Sequence, residues 1–101
     1  MKIAVMCYIF PDKVSVIRTL KPRLSGLIEP DFGLLDHLLS MEVLTHRQFD
    51  GVRSGRTVYE RNDALLELLV SDELCNKFLD ALRETAQTHI VNFIERKGSK
   101  L

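Results

Sequence analysis

The sequence has few cysteines, no excess of charge of either sign and no long apolar run. Its two cysteines are too few for a disulfide framework, which favours a reduced protein in the cytoplasm. Fourteen Lys and Arg residues balance fourteen Asp and Glu residues, so the basic excess of a typical nucleic-acid binder is missing. No apolar run approaches the roughly 20 residues that a membrane-spanning helix needs. We therefore expect neither a nucleic acid nor a membrane as partner.

The length and apolar content predict one folded domain. The chain has 101 residues, of which 46% are apolar, and it contains no repeat or low-complexity tract. A chain of this length removes roughly two-thirds of its unfolded surface from water when it folds. We expect an N-terminal extension at residues 1–11, one domain at residues 12–98 and a short C-terminal tail at residues 99–101.

The sequence offers few groups that catalysis or metal binding could use. The three histidines fall in three different predicted helices, and none has a zinc-binding spacing. Cys7 and Cys75 are far apart in the chain, and no CxxC motif is present. Segment 51–56 contains glycines but lacks the G-K-[ST] ending and the preceding strand of a phosphate-binding loop. We expect no enzyme activity, no cofactor and no metal.

Apolar residues recur at intervals of three and four, which is the period of an amphipathic helix. Two helix starts have the form of a capping box, Thr45 with Gln48 and Thr57 with Glu60. The alternating patterns of strands and the Asn-Gly turns of hairpins are missing. The sequence therefore predicts an all-α bundle of six short helices.

Pro22 lies within the first apolar stripe, which we predict to continue through Leu24, Leu27 and Ile28 on the core side. A proline inside a helix removes one backbone donor and clashes with the preceding turn. Because the apolar period continues past it, the sequence predicts a first helix that is bent or broken near Pro22.

The charged residues are segregated along the chain although they cancel overall. Residues 12–23 contain four basic residues and one acidic residue, whereas residues 29–50 contain five acidic residues and one basic residue. Residues 53–61 are basic again, with three arginines and one glutamate. If helices 1 and 4 lie side by side, the domain has a basic and an acidic face, and copies can dock head to tail into a filament. Chance variation among ordinary solvated helix faces gives the same pattern, so this alternative stays open.

Four segments carry a family likeness: VIRTLKPRLSGLI, LLDHLLSMEVLTHRQFDGVRSG, ERNDALLELLV and FLDALRETAQTHIVNFI. In this order they resemble the caspase recruitment domain (CARD) of the death-fold superfamily. The resemblance extends over residues 13–97, and its most specific part is a leucine-rich helix 2 followed by the L-T-x-x-x-F start of helix 3. It implies a six-helix antiparallel Greek-key bundle whose first helix is bent or broken.

The resemblance also implies a function, namely homotypic binding without catalysis. Such domains recruit caspases, adaptors or other CARD-containing proteins in apoptosis and innate immunity, including inflammasomes, and often assemble into oligomers or filaments. Their commonest contact joins basic residues of helices 1 and 4 to acidic residues of helices 2 and 3 on another domain. By position, the predicted basic surface comprises Arg18, Lys21, Arg23, Arg56 and Arg61. The predicted acidic surface comprises Asp31, Asp36 and Glu42 of helix 2 and Asp50 of helix 3.

This chain departs from the family pattern in helix 4. Its basic residues alternate with three carboxylates, Glu60, Asp63 and Glu67. The contribution of helix 4 to the predicted basic surface is therefore less secure than that of helix 1.

Two other interpretations remain open from the sequence. One is another death-fold subtype, namely a death, pyrin or death-effector domain, with the same docking logic. The other is a small helix-turn-helix domain that binds nucleic acid through Arg47, Arg53 and Arg56. The acidic residues Glu42 and Asp50 beside these arginines, together with the zero net charge, argue against nucleic-acid binding.

Overall fold

Six helices and no strand make up residues 13–98, the part of the chain that the computed structural model describes. They are α1 (Lys13–Leu27), α2 (Leu34–Ser40), α3 (His46–Arg53), α4 (Val58–Glu67), α5 (Asp72–Glu84) and α6 (Thr88–Gly98). The all-α prediction and the number of helices are confirmed. The predicted N-terminal extension and C-terminal tail lie outside the described residues.

The two predicted capping boxes have different outcomes. Thr45 Oγ1 accepts from the backbone N–H of Gln48 at 3.1 Å, and Gln48 Oε1 accepts from the backbone N–H of Thr45 at 3.0 Å, so the first box is formed. Thr57 Oγ1 also accepts from the backbone N–H of Glu60, at 3.1 Å. The Glu60 carboxylate, however, accepts from the backbone N–H of Arg56 at 2.9 Å. The second box is therefore only half formed, because the returning bond reaches one residue too far.

The sequence predicts that the first helix is either bent or broken near Pro22. α1 continues through Pro22 as a single helix, so it is not broken, and a bend is the form of the prediction that agrees with the structure. Pro22 is exposed, which leaves the missing backbone donor on the side of the helix that faces solvent. The prediction that Leu27 is buried is wrong, since its exposed fraction is 49%. Ile28 lies about 100° farther round the helix axis. It takes the core position at this turn, with 2% exposure.

The core is arranged around α1. This helix packs most extensively against α4, and it also packs against α5 and α6. α2 packs against α3 and α5, and α3 packs against α4. Among the largest fully buried side chains are Ile17, Leu24, Leu38, Phe78 and Leu82. Helices 1 and 4 are therefore neighbours, which is the arrangement that a shared basic face requires. Helices 2 and 3 are neighbours as well.

Side chains from distant elements hold the C-terminal end of α1. The buried amide of Asn62 donates to the carbonyl oxygens of Ser25 and Ile28, each at 2.8 Å. Gln87 donates to the carbonyl oxygen of Glu29 at 2.9 Å and accepts from its backbone N–H at 2.8 Å. A helix end leaves such backbone groups without intrahelical partners. These bonds therefore fix the α1–α2 connection against α4 and against the α5–α6 connection.

Candidate interaction surfaces

α1 and α4 run antiparallel along their shared contact. Lys21 meets Asp63 and Glu67, whereas the later α1 residue Ser25 meets the earlier α4 residue Asn62. The end of α1 therefore lies beside the start of α4. Lys21 of α1 and Arg61 of α4 thus belong to two helices in direct contact.

Lys21 is paired with two carboxylates of its own chain. Its Nζ lies 3.3 Å from Asp63 Oδ1 and donates a hydrogen bond to Glu67 Oε1. The hydrogen bond to Glu67 raises the pKa of Lys21 above its usual value, with a further contribution from Asp63. The same hydrogen bond lowers the pKa of Glu67. The charge of this predicted contact residue is therefore balanced within the domain.

Arg61 is also paired internally, and its partner belongs to the predicted acidic surface. Its Nη2 lies 2.8 Å from Asp31 Oδ2, and its Nη1 donates to the carbonyl oxygen of Gly55 at 2.8 Å. The pair ties α4 to the α1–α2 connection. One cation of the basic surface and one carboxylate of the acidic surface thus neutralise each other.

The other three residues of the predicted basic surface are Arg18, Arg23 and Arg56, and all three are exposed. Arg56 lies in the connection before α4, so its predicted place in helix 4 is wrong. Within residues 13–98 their guanidinium groups have neither an ion pair nor a hydrogen bond. Arg18 lies close enough to Glu67 that its charge helps to lower the pKa of that carboxyl group. Arg23 follows Lys21 by two positions, about 200° round the helix axis. It therefore faces away from α4 and stands apart from the rest of the surface.

A shallow surface cleft lies between α1 and α4. Ile17 and Leu66 provide its apolar lining, and Arg18, Lys21 and Glu67 provide its charged groups. The cleft lies at the point where the free guanidinium group of Arg18 adjoins the internally paired Lys21. It combines an apolar lining with a charged rim, which suits a side chain that has an aliphatic stem and a polar end.

The predicted acidic residues lie on neighbouring elements, but fewer of them belong to α2 than expected. α2 spans only Leu34–Ser40, so Asp31 lies before it and Glu42 lies in the connection after it, and their predicted place in helix 2 is wrong. Asp36 on α2, Glu42 and Asp50 on α3 are exposed, and within the described part of the chain none forms an ion pair. Glu42 has a φ of 62°, a left-handed backbone conformation that is costly for a residue with a β-carbon.

Of the three arginines of the nucleic-acid interpretation, Arg53 makes a contact within its own helix. The Arg53 guanidinium stacks over the Phe49 ring of the same helix, 5.3 Å from the ring centroid. Asp50, which lies between Phe49 and Arg53 in the sequence, is exposed.

In the described part of the chain, no group of three or more His, Cys, Asp or Glu residues could hold a metal ion. No helix among residues 13–98 has both the length and the apolar character to cross a bilayer.

The family model of the caspase recruitment domain matches residues 14–97, which is nearly the whole chain. The chain belongs to the CARD family. Searches of curated proteins and of solved structures found no match. Membership makes the chain a homotypic protein–protein interaction module, since CARDs bind other CARD-containing proteins, and it favours this subtype over the other death folds. The resemblance to the CARD is thereby confirmed, and the six-helix bundle agrees with it.

Proposed function

We propose that this CARD recruits CARD-containing partners by docking its basic surface on the acidic surface of another domain. In this proposal Arg18 and Arg56 provide the free cations of the basic surface, whereas Arg23, which faces away from α4, contributes less. Lys21 and Arg61 contribute less, because carboxylates of the same chain already bind them. Asp36, Glu42 and Asp50 provide the acidic surface, with Asp31 held by Arg61 at its margin.

The observation that carries the proposal is the set of unpaired, exposed charges of opposite sign on neighbouring elements. Free guanidinium groups lie on α1 and in the connection before α4, whereas α2, α3 and their connection carry free carboxylates. A copy that uses its basic surface still presents its acidic surface, so a head-to-tail contact can continue into an oligomer or filament.

The proposed contact is weak for each pair of charges and depends on salt. An exposed ion pair contributes about 0.2–1 kcal/mol, and opposite charges mainly speed and orient the encounter. Repetition along an assembly raises the overall affinity through effective concentration. We therefore propose that assembly, rather than a single contact, gives the recruitment its strength, and that salt weakens it.

The proposed setting follows from the family. We propose that the domain acts in the cytoplasm, where CARDs bring caspases and adaptors together in apoptotic or innate-immune signalling, including inflammasomes. The partner is a CARD with a surface complementary to this one.

The proposal is tested by charge reversal on each surface in turn. Arg18→Glu and Asp36→Lys are each expected to reduce self-association of the full chain, measured by sedimentation velocity. A mixture of the two variants retains one intact basic surface and one intact acidic surface, and it is therefore expected to form a complex again. Arg96→Glu, an exposed charge reversal on α6, is the matched control and is expected to leave association unchanged. Association of Arg18→Glu at the wild-type level would contradict the proposal.

A further inference from the structure

The α1/α4 surface contains its own acidic competitors. Asp63 and Glu67 are four residues apart on α4, which places their carboxylates on one face of the helix. Both carboxylates contact the ammonium group of Lys21 on α1. A carboxylate of a docking partner would have to share this cation with them.

We infer that Asp63 and Glu67 limit docking at the basic surface by competing with the partner's carboxylates for Lys21. The inference rests on the proposed function, because it concerns the regulation of the same surface. It assigns a role to two acidic residues that depart from the family pattern of helix 4.

The exposure of the three side chains supports the competition. The Lys21 side chain is 20% exposed, whereas those of Asp63 and Glu67 are 46% and 63% exposed. An approaching acidic surface therefore meets two carboxylates before it meets the cation that they already bind. The free guanidinium group of Arg18 beside Glu67 is the cation that remains available at this end of the surface.

The inference predicts tighter association when the competitors lose their charge. In the full chain, Asp63→Asn combined with Glu67→Gln keeps the side-chain shapes but frees Lys21. We expect self-association about 1.4- to fivefold tighter than wild type, the range that corresponds to one exposed ion pair. Its dependence on salt concentration should also become steeper. Adding Lys21→Met to this double variant should remove the gain.

A matched control separates this effect from the change in net charge. Glu73→Gln combined with Glu84→Gln removes the same number of charges from exposed positions on α5 and is expected to give no gain. An equal gain in this control, a gain that persists after Lys21→Met, or no gain at all would overturn the inference. If Arg18→Glu leaves wild-type association unchanged, the proposed function fails; if Arg18→Glu weakens it but the double variant does not tighten it, only the inference fails.

Discussion

Replacing Asn62 by aspartate is expected to destabilise the domain far more than the change in size suggests. Asn62 is fully buried, and its amide donates to the Ser25 and Ile28 carbonyl oxygens at the end of α1. An aspartate of the same shape has no donor when it is ionised. The new carboxylate would place an oxygen, instead of an N–H group, against two carbonyl oxygens.

The magnitude follows from the two bonds that are lost. A typical hydrogen bond contributes about 0.5–1.5 kcal/mol net, so Asn62→Ala should cost about 1–3 kcal/mol in the free energy of unfolding. At neutral pH, Asn62→Asp should cost more than Asn62→Ala, because it also buries a charge without a partner. Small domains have total stabilities of about 5–15 kcal/mol, so the loss is large enough to measure.

The aspartate variant should also show a characteristic pH dependence. Burial and the two carbonyl groups raise the pKa of the new carboxyl group in the folded state above its value in the unfolded chain. The protonated acid can donate one of the two hydrogen bonds, so the deficit is smallest below about pH 4, near the pKa of an unperturbed aspartate. The deficit grows as the pH rises through the folded-state pKa, because the unfolded chain releases its proton first. Asn62→Ala should lack this added dependence.

Urea denaturation followed by circular dichroism, repeated between acidic and neutral pH, measures both quantities. Asn76→Ala, at an exposed position on α5, is the matched control and should change the free energy of unfolding by no more than about 0.5 kcal/mol. If Asn62→Asp unfolds at the wild-type urea concentration at neutral pH, the two hydrogen bonds do not hold α1 as described here.

Two further predictions concern single residues of the interaction surfaces. Glu42→Gly should raise the free energy of unfolding by about 0.5–1 kcal/mol, because it relieves a left-handed backbone, yet weaken self-association, because it removes a carboxylate. Ala86→Gly relieves the same conformation and should stabilise without weakening association; equal effects of both variants on association would refute a docking role for Glu42. In an NMR titration the pKa of Glu67 should lie below its usual value and rise in Lys21→Met, because Lys21 donates to the ionised carboxylate. The stabilisation by this pair should be present at neutral pH and be lost as the pH falls through that lowered pKa, and an unchanged pKa in Lys21→Met would contradict the pairing.

Local sequence patterns predicted the helices well because helix formation depends on near neighbours. The Thr45 capping box has both of its partners within three residues, and it forms as predicted. At the end of α1, Ile28 is buried as predicted, but Leu27 is not. Both residues extend the apolar stripe, and only the neighbouring helices decide which of them is covered. The side chain of Glu60 could likewise reach either of two backbone N–H groups, which its sequence spacing does not distinguish.

The pairing of charges was beyond local reasoning. Lys21 and Glu67 are 46 residues apart, and Arg61 and Asp31 are 30 residues apart. The sequence identifies these residues as charged, but only the packing of α4 against α1 and the α1–α2 connection brings the partners together. The four-residue spacing of Asp63 and Glu67 was a signal that could have predicted a paired acidic site on one helix face.

The Arg61–Asp31 pair bears on the shape of any assembly that this domain forms. It joins a residue of the proposed basic surface to a residue of the proposed acidic surface across 2.8 Å, so the two proposed surfaces approach each other at this point. A head-to-tail contact between adjacent surfaces turns each copy relative to the last, and repeating that turn gives a ring or a helix instead of a straight stack. The internal pair also removes one charge of each sign from the proposed docking contact, so we expect the exposed charges of Arg18, Arg56, Asp36, Glu42 and Asp50 to set the turn. Charge reversal at these positions should therefore change the geometry of the assembly as well as its affinity, whereas reversal at the already neutralised Arg61 should act mainly on the stability of the α1–α2 connection.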